Sequence, residues 1–109
     1  MASAVFWQRG EALDYLNSGS TTIEANTIVL YGSRIGVIGC DIAPGEVGSL
    51  HVAGVFRMPK TGTSAIAAGT DVYWDGDGIT SSSSGNTKAG FAAQAAEASA
   101  TEILVSINA

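Results

Sequence analysis

Very little in this sequence can carry out chemistry. Cys40 is the only cysteine, which excludes an internal disulfide and any zinc site built on cysteines. His51 is the only histidine. The basic residues are just Arg9, Arg34, Arg57, Lys60 and Lys88, scattered along the chain without a patch, against ten acids, for a net charge of −5. Nucleic-acid binding needs a concentrated positive face that displaces counterions, so direct contact with DNA or RNA is not expected. No apolar run approaches the ~20 residues of a membrane span. The start, Met1-Ala2-Ser3-Ala4-Val5-Phe6-Trp7, lacks the basic region and long apolar stretch of a secretory signal. The expected setting is a cytoplasm, or an assembly put together in one.

Charge is scarce as well. Charged residues make up 14% of the 109-residue chain, well under the roughly 25% of an ordinary soluble domain. Hydrophobic residues make up 46%, and there are 14 glycines and only two prolines. High glycine with many Ala, Ser and Thr predicts short strands joined by tight turns. So bland an exterior also suits a surface that something else covers. By area scaling a folded chain of this mass exposes about 5,600 Å², enough for one modest core and little room for a deep cleft.

Helical periodicity is scarce. Ile28-Val29-Leu30-Tyr31 reads as a strand that stops at Gly32-Ser33. Ile35 to Ile42 runs to the turn Ala43-Pro44-Gly45-Glu46, and Val47 to Phe56 returns, which together make a β-hairpin. Leu50, Val52 and either Val55 or Phe56 would face inward. Pro59 ends that strand because it cannot donate a ladder hydrogen bond. Thr61-Gly62-Thr63 is a loop, Asp71 to Asp75 a strand closed by Gly76-Asp77-Gly78, and Ser81 to Gly85 a polar, low-complexity tip. Lys88 to Ala93 and Glu102 to Ile107 are the last strands, with Ile103, Val105 and Ile107 alternating on one face. Ala92 to Ala100 has a helical composition but lies between strands, and is read as a loop or at most one helical turn.

One pattern repeats. Ile23, Ala25, Thr27, Val29 and Tyr31 recur 43 residues later as Ile66, Ala68, Thr70, Val72 and Trp74. Ile35-Gly36-Val37 recurs 54 residues later as Ala89-Gly90-Phe91, so the second half carries an insertion around Asp77 to Gly85. Two strand-rich halves of this kind predict an all-β fold with little or no helix: a small single-domain β-barrel or β-sandwich of two pseudo-repeated halves. Residues 1–10 would form an N-terminal arm and residues 11–109 the single β domain.

No catalytic set emerges. A general base at His51 would need an orienting carboxylate and a nucleophile; Ser49 lies near, but strand alternation is expected to separate them. Asp75-Gly76-Asp77-Gly78 opens like a calcium loop, yet Ile79, Thr80 and Asn86 stand where the third ligand, the glycine and the glutamate belong. Gly32-Ser33-Arg34-Ile35-Gly36 has no Gly-Lys-Ser/Thr and precedes a strand, so it is no phosphate loop. Cys40 sits in an apolar stretch and is expected to be an inert core thiol. No metal site and no cofactor is expected. The remaining features are aromatics and their neighbours: Val5, Phe6 and Trp7 in the arm, Phe56 with Met58, Pro59 and Lys60, and the adjacent Tyr73 and Trp74, which must point to opposite faces. These nine residues are the candidate interface, since aromatics are enriched at interface centres.

Several ordered strings carry a resemblance. Ile35-Gly36-Val37 is followed by Asp41-Ile42-Ala43-Pro44-Gly45-Glu46-Val47-Gly48, then Gly54-Val55-Phe56-Arg57-Met58-Pro59-Lys60, Val72-Tyr73-Trp74-Asp75, and Gly85-Asn86-Thr87 with Gly90. In order and spacing these resemble the capsid cement, or decoration, proteins of tailed phages and prophages, long catalogued as a domain of unknown function. The segment Phe6 to Tyr15 resembles that family's opening, so the likeness covers nearly the whole chain. Family members often have Leu where this chain has Met58, an apolar exchange of little consequence.

The resemblance implies a structural virion protein, not an enzyme. Such a protein binds the outside of an expanded phage head and stabilises it, with the major capsid protein as partner and a homotrimer as its commonest form. It would be assembled in the bacterial host cytoplasm. The rival reading is a small ligand- or carbohydrate-binding β-barrel without catalysis, using Tyr73, Trp74 or Trp7 as a stacking platform. A hydrolase using His51 or the Asp75/Asp77 pair ranks third.

Overall fold

The computed structural model describes residues 2–6 and 8–109. Among these residues nine strands form two antiparallel sheets. The first contains β1 (Ala12–Leu16), β2 (Ile28–Tyr31), β3 (Arg34–Ile38) and β4 (Val47–His51) in the order β1-β4-β3-β2. The second contains β5 (Val55–Pro59), β6 (Asp71–Trp74), β7 (Ile79–Thr80), β8 (Thr87–Ala92) and β9 (Glu102–Ile107) in the order β5-β9-β8-β6-β7. Neither sheet closes on itself, so of the two architectures expected from the sequence the sandwich is realised and the barrel is not.

The two sheets are two copies of one unit. β1 recurs 43 residues on as β5 and β2 as β6; β3 recurs within β8, and β4 within β9. Strand order agrees, β1-β4-β3-β2 against β5-β9-β8-β6. The hydrogen bonds between elements agree as well. Val52 N–H donates to Glu11 O and Ile107 N–H to Gly54 O; Asn17 N–H donates to Glu46 O and Lys60 N–H to Thr101 O. Ile38 N–H donates to Thr27 O, and its counterpart Ala92 N–H to Thr70 O. In each half a bridge locks two turns together, Ile23 to Ile42 and Ile66 to Ala96. The turns that follow are closed by Thr27, Glu46, Thr70 and Ala100 donating to Glu24, Ala43, Ala67 and Glu97. In three of the four the third turn residue has positive φ: Asn26, Gly45 and Gly69. A two-residue tip, Gly32-Ser33, joins β2 to β3, whereas residues 75–86 join β6 to β8 and add β7 as a fifth strand.

Packing follows strand alternation. Ile35 and Val37 on β3 join Met58, Ile66, Val72, Ile79, Ala89, Ala92, Ile103, Val105 and Ile107 in the main core between the sheets. Ile38, Leu50 and Ile42 form a smaller cluster on the other side of the first sheet. The halves are tied by Asn108, whose backbone N–H donates to Ala89 O in β8. Its side-chain amide donates to Ile35 O at 2.8 Å and Val52 O at 2.9 Å, while Ile35 N–H donates to its Oδ1 at 3.4 Å. A side chain thus stands in for a strand between the two units.

Some expectations need correction. The run Val47 to Phe56 is not one strand: the chain leaves the first sheet after His51 and enters the second at Val55, turning at Ala53-Gly54. The run Ile35 to Ile42 ends its ladder at Ile38, because the chain bends at Cys40 before Ile42 bridges Ile23. That bend leaves Cys40 exposed, not in the core. The reading of Ala92 to Ala100 as a loop needs no correction: Ala92 ends β8, Ala96 bridges Ile66, and no helix forms there.

Candidate functional site

Pro59 dictates where the central candidate residues lie. Lacking an N–H, it suits a strand with one side unpaired, and β5 is the edge of the second sheet, paired only with β9. Period two then sets the faces. Met58 points inward and is 2% exposed, Pro59 points out, and Phe56 is half-buried against the main core. Phe56, Met58 and Pro59, with Arg57, line one wall of a cleft of about 330 Å³; Asn26, Ile28 and Val37 of the first sheet line the other. The cleft therefore lies between the edge strands β5 and β2. Phe56 also meets the His51 ring at a centroid distance of 5.8 Å.

Lys60 behaves otherwise. It is 8% exposed, and its Nζ donates to Ala98 O at 3.3 Å. Its counterpart in the first half is Asn17, 2% exposed, whose amide donates to Thr21 O and Ile42 O at 2.8 Å. Both residues directly follow the first strand of their unit and bond a carbonyl far along the chain, Ile42 O and Ala98 O. Met58 and Lys60 are thus largely buried within the body. Tyr73 and Trp74 are both half-buried on β6, with Trp74 packed against the main core. They are not part of the β2–β5 cleft.

The arm residues Val5 and Phe6 are 84% and 83% exposed, and no strand occurs before Ala12 among the described residues. Trp7, the third arm candidate, lies outside the described residues. Sequence reasoning missed other exposed apolar side chains: Leu16, Leu30, Tyr31, Val47 and Val55. Leu16 and Val47 are direct cross-strand partners, so they form one patch. Recognising β1 as a strand would have exposed this pair. Its signal is weak, because Asp14 interrupts an otherwise apolar run of five residues.

Among the described residues the polar groups singled out in the sequence do not meet in one centre. Ser49 and His51, two residues apart on β4, share a face; both flank Gly39. This corrects the expectation that strand alternation separates them. Ser49 Oγ has Cys40 Sγ at 4.0 Å, and no hydrogen bond joins Ser49 to His51 among the described residues. Asp75 closes its own turn: Thr61 Oγ1 donates to its Oδ2 at 2.6 Å, and the Asp77 and Gly78 amides donate to its Oδ1 at 2.8 Å. The Thr61 hydroxyl first, and then the Asp77 amide, hold this carboxyl below its ordinary value of 3.8. Among the described residues no three His, Cys, Asp or Glu side chains gather as metal ligands would.

The molecule is thin for its size. Its extents are 44 × 41 × 23 Å and its radius of gyration is 15.3 Å, against about 13 Å for a compact chain of this length. Its 6781 Å² of accessible surface exceeds the area-scaling value by about 1,200 Å². A thin plate with exposed apolar side chains offers a large surface for contact. The sequence model of the phage cement protein family matches residues 7–107. The chain belongs to the phage cement protein family. Comparison with curated proteins and with solved structures finds no match to either. As a cement protein it is a structural component of a phage capsid, and that family is structural in kind.

Proposed function

We propose that this cement protein binds the outer surface of an expanded phage head and stabilises it by bridging neighbouring copies of the major capsid protein. The family match over residues 7–107 carries this reading, and the thin plate with its exposed Leu16, Leu30, Val47 and Val55 supports it. The mechanism is mass action on a lattice. A protein that binds the assembled shell, and not free coat subunits, shifts the equilibrium toward the shell. Contact with several subunits at once raises effective concentration, so individually weak copies add up. A homotrimer, assembled with the head in the host cytoplasm, is the form we assign to it, and no catalytic step is involved.

Residues 1–10 act as an arm on a body formed by residues 11–109. Val5 and Phe6 project with more than four-fifths of their surface exposed. On the shell they would bury that surface by adding a strand or packing over a groove, ordering as they bind. Phe56 and Pro59 beside the β2–β5 cleft, and Tyr73 on β6, complete the proposed contact set. Deleting residues 2–7 is expected to weaken pelleting with expanded heads while leaving the far-ultraviolet dichroism unchanged. Undiminished binding by the truncated chain would contradict the arm's role.

A further inference from the structure

The second unit has a fifth strand and the first does not. β7 pairs with the outer side of β6, Tyr73 opposite Thr80 and Trp74 opposite Ile79. It also meets the end of β5: Thr61 N–H donates to Ile79 O at 2.9 Å, and Ile79 bridges Lys60. Ile79 is thereby fully buried in one cluster with Val72, Met58 and Ile66. Among the described residues the first unit has no strand in that place, because Gly32-Ser33 alone joins β2 to β3. The side chains around the gap register it. Leu30 and Tyr31, the counterparts of Tyr73 and Trp74, are 57% and 43% exposed, whereas Tyr73 and Trp74 are half-buried. Val29, Tyr15 and Ile23, the counterparts of the buried Val72, Met58 and Ile66, are only half-buried.

The backbone of β2 is set to receive a strand. Ile38 N–H donates to Thr27 O, so by the alternation of an antiparallel ladder Val29 and Tyr31 bond β3, and Leu30 turns its N–H and C=O to the open side. In the second unit Asp75 N–H donates to Gly78 O, and the same alternation gives Tyr73 its bonds to β7. Ser18, exposed, is the first-half counterpart of Thr61 and carries a hydroxyl as Thr61 does. We propose that an extended segment of the major capsid protein adds to β2 as the fifth strand of the first unit, antiparallel, in the place β7 holds in the second. This inference rests on the head-binding role proposed above and gives it a surface. Main-chain bonds to Leu30 supply the pairing. A branched apolar side chain opposite Tyr31 takes the place of Ile79 over Val29, Tyr15 and Ile23. Continued past Leu30, the segment reaches Ile28 and the β2–β5 cleft. A second copy cannot lend its own β7, whose hairpin is locked by Asp75 and whose Ile79 is buried.

The test pellets full-length variants with expanded heads, wild type first. A folded wild type that does not pellet removes the head-binding role and this inference together; every other outcome bears on β2 alone. With Tyr31 replaced by the photo-cross-linker p-benzoylphenylalanine, irradiation on heads is expected to join the chain to one coat-protein peptide, identified by mass spectrometry. Leu30→Lys puts a charge on the open edge and is expected to weaken head binding by at least about tenfold, with unchanged far-ultraviolet dichroism. Leu30→Ser gives the comparison if the lysine variant unfolds. Gln94→Lys, an equal charge change at an exposed turn of the second half, is expected to leave binding unchanged. Replacing Gly32-Ser33 with this chain's own residues 75–86 gives the first unit a fifth strand of its own. That graft is expected to raise the urea midpoint and to block head binding. Undiminished binding by the folded Leu30 variants or by the folded graft, an equal loss with Gln94→Lys, or cross-links only to another copy or to the chain's own arm would each overturn the proposal.

Discussion

Gly90 shows how much a single residue can decide. Its φ is +144°, a region closed to side chains, and a Cβ there would overlap the carbonyl oxygen of Ser106 on the neighbouring strand. Backbone cannot give way as a flexible side chain can. Gly90→Ala is expected to cost about 3 kcal/mol or more, read as a lower urea midpoint at unchanged slope; a shift under about 0.5 kcal/mol would show that β8 and β9 are not this close. Its first-half counterpart Gly36 faces the Leu50 side chain, a softer neighbour. Asp75 makes a second, pH-dependent case. Its carboxyl is held below 3.8 in the folded state, so its stabilisation is complete above that value and is lost as pH falls through the lower, folded value. The difference in urea midpoint between wild type and Asp75→Asn should therefore be full near neutrality and shrink toward pH 2. A difference independent of pH would contradict the turn-closing role of the ionised carboxylate.

At the scale of elements, legibility tracked how strongly each segment advertised its period and its breaks. Glu102 to Ile107 alternates cleanly, and the strand read from the sequence has the same bounds as β9. The hairpin around Ala43 to Glu46 was legible from Pro44 and Gly45, and β3 pairs β4 as expected. The break at Ala53-Gly54 was not, because apolar residues continue on both sides while the chain changes sheets. β7 was missed because it is two residues long inside a glycine- and serine-rich insert, although its Ile79 is fully buried. Cys40 was misplaced because an apolar neighbourhood in sequence says nothing about a bend. The nine candidate contact residues separated for the same reason: aromatic character was visible, but the faces of β5 and β6 that decide exposure depend on register. The arm is the element whose prediction is sharpest, since its removal should cost shell binding and not folding.

At the scale of the whole molecule, the duplication is the organising fact. The offset of 43 residues was readable for β2 and β6, and the second offset located the insertion. That β1 and β5 obey the same offset was invisible, because Ala12–Leu16 and Val55–Pro59 share no residue at equivalent positions and only hydrogen bonds reveal their kinship. Two copies of one unit make a plate with a large surface for its mass and open edges. That shape suits the proposed role of spanning neighbouring subunits of a shell. The measurement that tests this most directly is co-pelleting of the purified chain with expanded heads and with unexpanded precursor heads of its phage, counting copies bound. Saturable binding to expanded heads alone, in fixed proportion to coat subunits, is the result predicted. Equal binding to both, or binding to neither by the folded protein, would contradict it.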